Sequence, residues 1–137
     1  MFKRWTALFS ALLFFFCFYA LYTAKAPVFY DYAEEFEVYT VFGSFGGGKT
    51  CTLRDFARVS GVKGESCAVT VGYFQVISDF NARHIFTETT DAGESYYAYS
   101  PEIPYRINIG GATVNIHYFN GADGSKKLGT PIIFGGY

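Results

Sequence analysis

The chain has 137 residues, half of them hydrophobic and 21% aromatic, with 11 basic and 12 acidic side chains for a net charge of −1. That length holds one domain, because two would each be too small to bury a core, and the composition excludes a largely disordered chain. No basic excess exists to neutralise a phosphate backbone, which argues against a nucleic-acid partner.

The first predicted element is a membrane segment. Lys3 and Arg4 make a short positive start, and residues 5–22 (WTALFSALLFFFCFYALY) follow without a charge. As a helix that run is about 27 Å long, close to the ~30 Å hydrocarbon core of a bilayer. Aromatic residues at both ends suit the membrane interfaces, and Lys3 and Arg4 should stay cytoplasmic, so the chain past Lys25 is exported. Two forms fit: a cleaved signal peptide ending at Ala24-Lys25-Ala26, or an uncleaved signal anchor. Pro27 directly after that triplet and the length of the apolar run favour the anchor. Cys17 lies inside the apolar run as a small hydrophobe. Residues 1–26 are thus a signal peptide or anchor, and residues 27–137 a single exported domain.

Within that domain, residues 27–34 read as a linker or loose strand. Residues 35–42 (EFEVYTVF) read as a strand with Phe36, Val38, Thr40 and Phe42 on its buried face. Residues 43–48 form a glycine-rich turn. Residues 49–59 (KTCTLRDFARV) suit a strand by Thr50, Thr52 and Val59, and a helix by Leu53, Phe56 and Ala57. Gly61, Gly64 and Ser66 mark a loop. Residues 71–82 (VGYFQVISDFNA) predict a helix, with Tyr73, Val76, Ile77 and Phe80 on one stripe and Thr70 as its cap.

Strands then follow one another. Residues 85–90 and 95–99 predict a hairpin around Asp91-Ala92-Gly93. Residues 105–109 predict a further strand, with Gly110-Gly111 as a turn. Residues 112–119 alternate, with Val114, Ile116 and Tyr118 on one face and Thr113, Asn115, His117 and Phe119 on the other. Residues 120–126 turn the chain into a last strand, 128–134, which Pro131 assigns to a sheet edge or bulge. The fold class is α+β: one main helix on a mostly antiparallel sheet.

Gly43-Ser44-Phe45-Gly46-Gly47-Gly48-Lys49-Thr50 matches the phosphate-binding pattern G-x-x-x-x-G-K-[ST]. There Gly43 and Gly48 would let backbone N–H groups cradle phosphates, Lys49 would neutralise them and Thr50 would hold magnesium. The pattern needs a helix starting at Lys49 and several βαβ units, and the strand-rich remainder is too short for them. Export also removes the segment from cytosolic nucleotide. The alternative reading, a nucleotide-binding protein, therefore stands second, and no cofactor is expected.

Other constellations are weaker. Cys51 and Cys67 are the candidate disulfide pair in an oxidising compartment, closing about 17 residues for roughly 3 kcal/mol. Two unrelated thiols are the alternative. His84 and Glu88 on a strand would be about 13 Å apart, too far for one metal ion. No G-x-S-x-G is present and no cysteine has a histidine partner in sequence, so no catalytic residue is assigned. Glu88, Asp91 and Glu94 near a turn read as solvated acids. Tyr96, Tyr97, Tyr99, Tyr105 and Tyr118 crowd the strands. They serve sheet packing, or form an aromatic platform for a glycan or peptide.

Several stretches of the second half resemble small exported bacterial proteins. They are Lys63-Gly64-Glu65-Ser66-Cys67, Asp79-Phe80-Asn81-Ala82, Ser95-Tyr96-Tyr97-Ala98-Tyr99-Ser100, Val114-Asn115-Ile116-His117 and Gly129-Thr130-Pro131-Ile132-Ile133-Phe134-Gly135. The order of helix then hairpin and the Gly-Thr-Pro-Ile-Ile ending are similar to the YwmB family of exported proteins. That resemblance implies helices against an antiparallel sheet and no catalytic residues. Together these readings predict a non-catalytic binding or accessory module of the bacterial envelope. It would be held by its N-terminal helix or secreted, with an envelope protein or glycan as partner.

Overall fold

The computed structural model describes residues 2–23, 26–41 and 48–134, with side chains of the first helix described over 3–19. In chain order the elements are α1 (Phe2–Thr23), β1 (Glu35–Thr40), β2 (Lys49–Thr52), α2 (Leu53–Phe56), β3 (Val62–Ala68) and α3 (Tyr73–Asp79). They continue with β4 (Arg83–Thr90), β5 (Gly93–Tyr99), β6 (Ile107–Ile109), β7 (Ala112–Val114), β8 (Ile116–Gly121) and β9 (Lys126–Thr130). Seven strands form one antiparallel sheet in the order β2-β1-β3-β9-β8-β5-β4, and β6 and β7 form a separate hairpin. The class is α+β, with a large antiparallel sheet and a few helices.

The first helix is apolar all round. Trp5, Leu8, Phe9, Leu12, Leu13, Phe14, Phe15, Phe16, Phe18 and Tyr19 are all exposed. Among the described residues no helix is long and apolar enough to cross a membrane.

Register explains the core. Cross-strand partners share a face. Val38 pairs with Glu65, Glu65 with Thr130, Tyr118 with Leu128, and Ala98 with Ile116. One face of the sheet therefore collects Phe36, Val38, Cys51, Cys67, Leu128, Ile116, Tyr118 and Ala98, all buried in one cluster. What covers this face is assembled from short pieces: Phe29 and Tyr32 from the segment after α1, Phe56 of α2, Val76 of α3, Phe80, and Ile103 with Tyr105. The ring of Phe29 meets Phe80 edge-on at 5.4 Å, and Tyr32 donates to Asp79 Oδ2 at 2.5 Å. Deleting a fully buried ring such as Phe29 costs about 3–5 kcal/mol.

The expected helix over 71–82 is shorter. Gly72, not Thr70, occupies the N-cap position and makes no side-chain cap bond. Asn81 takes a positive φ of 47° just past the end, a left-handed conformation that stops the helix. The ambiguous segment over 49–59 divides into a strand and one helical turn, in which Thr52 Oγ1 caps Asp55 N. The expected loop at Gly61, Gly64 and Ser66 is instead β3. A Cβ on Gly64 would come within 2.7 Å of both Thr130 O and the Phe134 ring, so this glycine serves close approach inside a strand.

The β4–β5 hairpin forms as the alternation predicts, with a bulge between His84 and Phe86. The expected strand over 112–119 breaks at Asn115. That side chain accepts from Ser100 N at 2.7 Å and donates to Ser100 O at 2.7 Å and Ile103 O at 3.2 Å, which pins the loop carrying Ile103 over the core. The last strand ends at Thr130, before Pro131, and lies between β3 and β8 rather than at an edge.

Glu65 is completely buried on the core face. Its Oε1 accepts from Phe29 N at 3.1 Å, and the Val28 N–H also faces the carboxyl. Oε2 has no hydrogen-bond partner among the described residues, and neither does the hydroxyl of Thr130 opposite. Burial disfavours the carboxylate and pushes its pKa up from 4.5 to about 7, against the two N–H groups that favour it. The proton is thus held more tightly in the fold than in the unfolded chain. Its stabilisation is complete below pH 4.5 and is lost as pH rises through about 7. His117 acts in the opposite sense. Burial lowers its pKa from 6.5 to about 4, so its contribution is present above pH 6.5 and is lost as pH falls through about 4. Glu65→Gln keeps the acceptor for Phe29 N and removes one titration. Relative to wild type, this variant should gain stability between pH 5 and 8 by up to about 3 kcal/mol. Thermal unfolding of both chains across that range measures the difference, in which the His117 contribution cancels.

Candidate functional site

The cover runs out at one end of the sheet. Tyr96 pairs with Tyr118 and Asn120 with Lys126, so all four lie on the core face, where α3 reaches Tyr96 and Tyr118 only through Tyr73 of its first turn. Between them and α3 opens a groove of about 500 Å³, lined by Gly72, Tyr73, Phe74, His84, Thr87, Tyr96, Tyr118, Asn120 and Lys126. Pockets that take small ligands have this size and an apolar, aromatic lining with a few polar groups.

The aromatic side chains support one another. Tyr73 stacks on Tyr96 with ring centroids 4.7 Å apart and meets Tyr118 at 5.6 Å. The Tyr73 hydroxyl bonds His84 Nδ1 at 2.7 Å, and Thr87 Oγ1 lies 3.2 Å from His84 Nε2. Tyr118 donates to Val71 O at 2.8 Å, and Tyr96 to Glu94 Oε2 at 2.5 Å. These bonds fix the rings without using their faces. Burial raises the Tyr73 phenol to about 12, and the Glu94 bond holds the Tyr96 phenol above its usual range, so both stay neutral donors. Phe74 alone projects outward, 85% exposed. Lys126 stands at the far end, and the one salt bridge among the described residues is Lys127 to Glu37 at 3.1 Å on the opposite face.

Neighbouring tyrosines of β5 point to opposite faces of the sheet. Tyr97 lies on the other face, stacked between Phe86 and His117 with both centroid distances 4.4 Å. Ser95 Oγ is 3.0 Å from His117 Nε2, a spacing that invites comparison with a nucleophile and its base. The other ring nitrogen rules this out. Nδ1 accepts from Ile133 N at 3.1 Å, so the neutral ring carries its proton on Nε2 and donates it to Ser95. A general base needs the reverse, and both residues are buried.

Lys49 and Thr50 lie on β2, paired with Val38 and Glu37 of an antiparallel neighbour. A phosphate-binding loop places these two residues on the first turn of a helix, so that geometry is not formed by them. Gly48 precedes the strand, and Gly43 falls outside the described residues. Cys51 and Cys67 are both free thiols and both buried. They sit on β2 and β3 with β1 between them, about 10 Å apart by strand spacing and beyond the ~7 Å limit for a disulfide. No bridge joins them in this arrangement, and burial pushes Cys67 up to about 12. His84 and Glu88 share β4, while His117 is on β8. No three His, Cys, Asp or Glu side chains converge on one point among the described residues.

Of the groove, the sequence identified Tyr96 and Tyr118 as platform candidates and Tyr73 as a core residue. Phe74, Thr87, Asn120 and Lys126 were missed. Phe74 did carry a signal: it lies off the apolar stripe of its helix, where an aromatic ring has no core to enter. No family model matches the chain, and neither a curated protein nor a solved structure matches it. Because His117 donates to Ser95 rather than accepting from it, a fluorophosphonate probe should leave the folded protein unlabelled; stoichiometric labelling of Ser95 by mass spectrometry would contradict this assignment.

Proposed function

We propose that the chain is a non-catalytic binding module of the bacterial envelope, whose ligand site is the aromatic groove between α3 and the β4-β5-β8 end of the sheet. The groove carries this reading: rings fixed by their own hydrogen bonds leave apolar surface open where a core would otherwise close. Phe74 adds a large exposed ring at the rim, the type of residue that anchors partners.

In the same proposal α1 holds the module at a membrane, with residues 1–26 as anchor or signal peptide and the sheet domain outside. The support is the exposed apolar circumference of α1, which gains nothing in water and is stabilised in lipid. An envelope protein or a glycan is the partner class.

The test is photo-crosslinking of the full chain to envelope fractions. Phe74→Ser removes a ring that is exposed in the free protein, so stability should change by no more than about 0.5 kcal/mol, while recovery of the crosslinked partner should fall several-fold. Lys49→Ala, on the other side of the sheet domain's sequence, should leave recovery unchanged. Equal recovery from the Phe74 variant would remove the groove from the reading. A reporter fused after residue 137 and active only in the cytosol would remove the export.

A further inference from the structure

The seven-stranded sheet has two edges of unequal character. β2 is four residues long, whereas β4 runs for eight. Every second residue of an edge strand turns its N–H and C=O away from the sheet, and these groups need water or another strand. Proteins block such edges with proline, lysine, short length or bulges. β4 contains neither proline nor lysine, and its bulge lies between His84 and Phe86, so residues 86–90 remain a regular run. Most of the strand is exposed.

The same strand borders the groove. His84 and Thr87 of β4 line it, and Phe74 of α3 overhangs from the other side. Phe86, Glu88 and Thr90 point to the opposite face, where Tyr97 donates to Glu88 Oε2 at 3.1 Å. The charge beside residues 86–90 is mainly acidic, with Arg83 at the start of β4 and Lys126 at the far end of the groove as the nearby cations. Between His84 and Tyr105 the sequence carries Glu88, Asp91, Glu94 and Glu102 and no lysine or arginine.

From this juxtaposition we propose that the groove's partner is an extended basic peptide segment, added as an eighth strand along residues 86–90 of β4. Its alternate residues would divide as the pleat dictates. Apolar side chains enter the groove beside Thr87, His84 and Phe74, and cationic side chains on the other face meet Glu88. Backbone hydrogen bonds to the β4 edge supply affinity, and the acidic hairpin supplies the charge preference. The proposal rests on the groove reading given above and names its occupant.

The experiment titrates the full chain in detergent micelles with three probes: a fluorescent octapeptide alternating lysine and valine, the same peptide N-methylated at every second amide, and a β-1,4-linked hexasaccharide. The unmodified peptide should bind and should slow hydrogen exchange at the amides of residues 86–90. N-methylation, which removes the strand-pairing donors, should weaken binding at least about tenfold. Glu88→Gln, which removes the charge and keeps an acceptor for the Tyr97 hydroxyl, should weaken the unmodified peptide and leave thermal unfolding nearly unchanged. Equal binding of the two peptides overturns strand addition. Binding of the hexasaccharide alone overturns the peptide partner and leaves the groove reading intact, whereas binding of none of the three overturns both.

Discussion

The structure depends on a mismatch of area. A seven-stranded sheet must have its apolar face covered, and apart from α1 the described chain offers one four-residue helix, one seven-residue helix and loop segments to do it. Several of these small pieces are held by specific polar bonds as well as by burial. Phe29 N is fixed by Glu65, the 100–103 loop by Asn115, and Tyr32 by Asp79. Where the pieces end, the groove begins. Its lining continues the core face: Tyr118 belongs to the core, and Tyr73 at the start of α3 is the cover that lies over it and Tyr96.

The buried polar groups follow from this patchwork. β8 lies between β9 and β5, and nearly all of it is buried on both faces. His117 therefore sits deep in the protein as a neutral ring that accepts from Ile133 and donates to Ser95. It holds the chain beyond β9 against the outer face of the sheet, with no chemistry required of it. Glu65 does the corresponding task on the core face at an incomplete level of satisfaction, with one oxygen unpartnered among the described residues. An orphaned oxygen in an apolar layer opposes burial by a kcal/mol or more, in the range of about 1–3 kcal/mol. The attachment of residues 27–33 is accordingly less secure than the packing of Phe29 alone suggests.

Much of the sheet was legible because period-two alternation survives wherever a strand has two unlike faces. Residues 85–99 gave both strands of the hairpin, and the Tyr96 and Tyr97 faces came out as the pleat requires. Legibility failed where a residue has two physical uses. Gly64 reads as a turn residue, yet it sits in a strand to let Thr130 and Phe134 approach. Pro131 reads as an edge marker, yet it only follows the end of an interior strand. The helix was placed correctly but drawn too long, since Asn81 reads as a tolerable end residue and acts as a left-handed stop. Three of the groove residues, Thr87, Asn120 and Lys126, were illegible for a different reason. Asn120 and Lys126 come to the same groove as Tyr96 and Phe74 only through strand order and register, and no local pattern encodes that order.

The position of β9 has a consequence for folding. The strands β2, β1 and β3 form one group and β8, β5 and β4 another, and β9 is the sole link between them in the sheet. Each group can pair within itself, but the two halves of the sheet join only once residues 126–130 pair with β3 on one side and β8 on the other. The β3–β9 pairing joins the segments farthest apart in sequence within the sheet, so it is the ladder that closes last and the one that turns two half-sheets into a single cooperative unit.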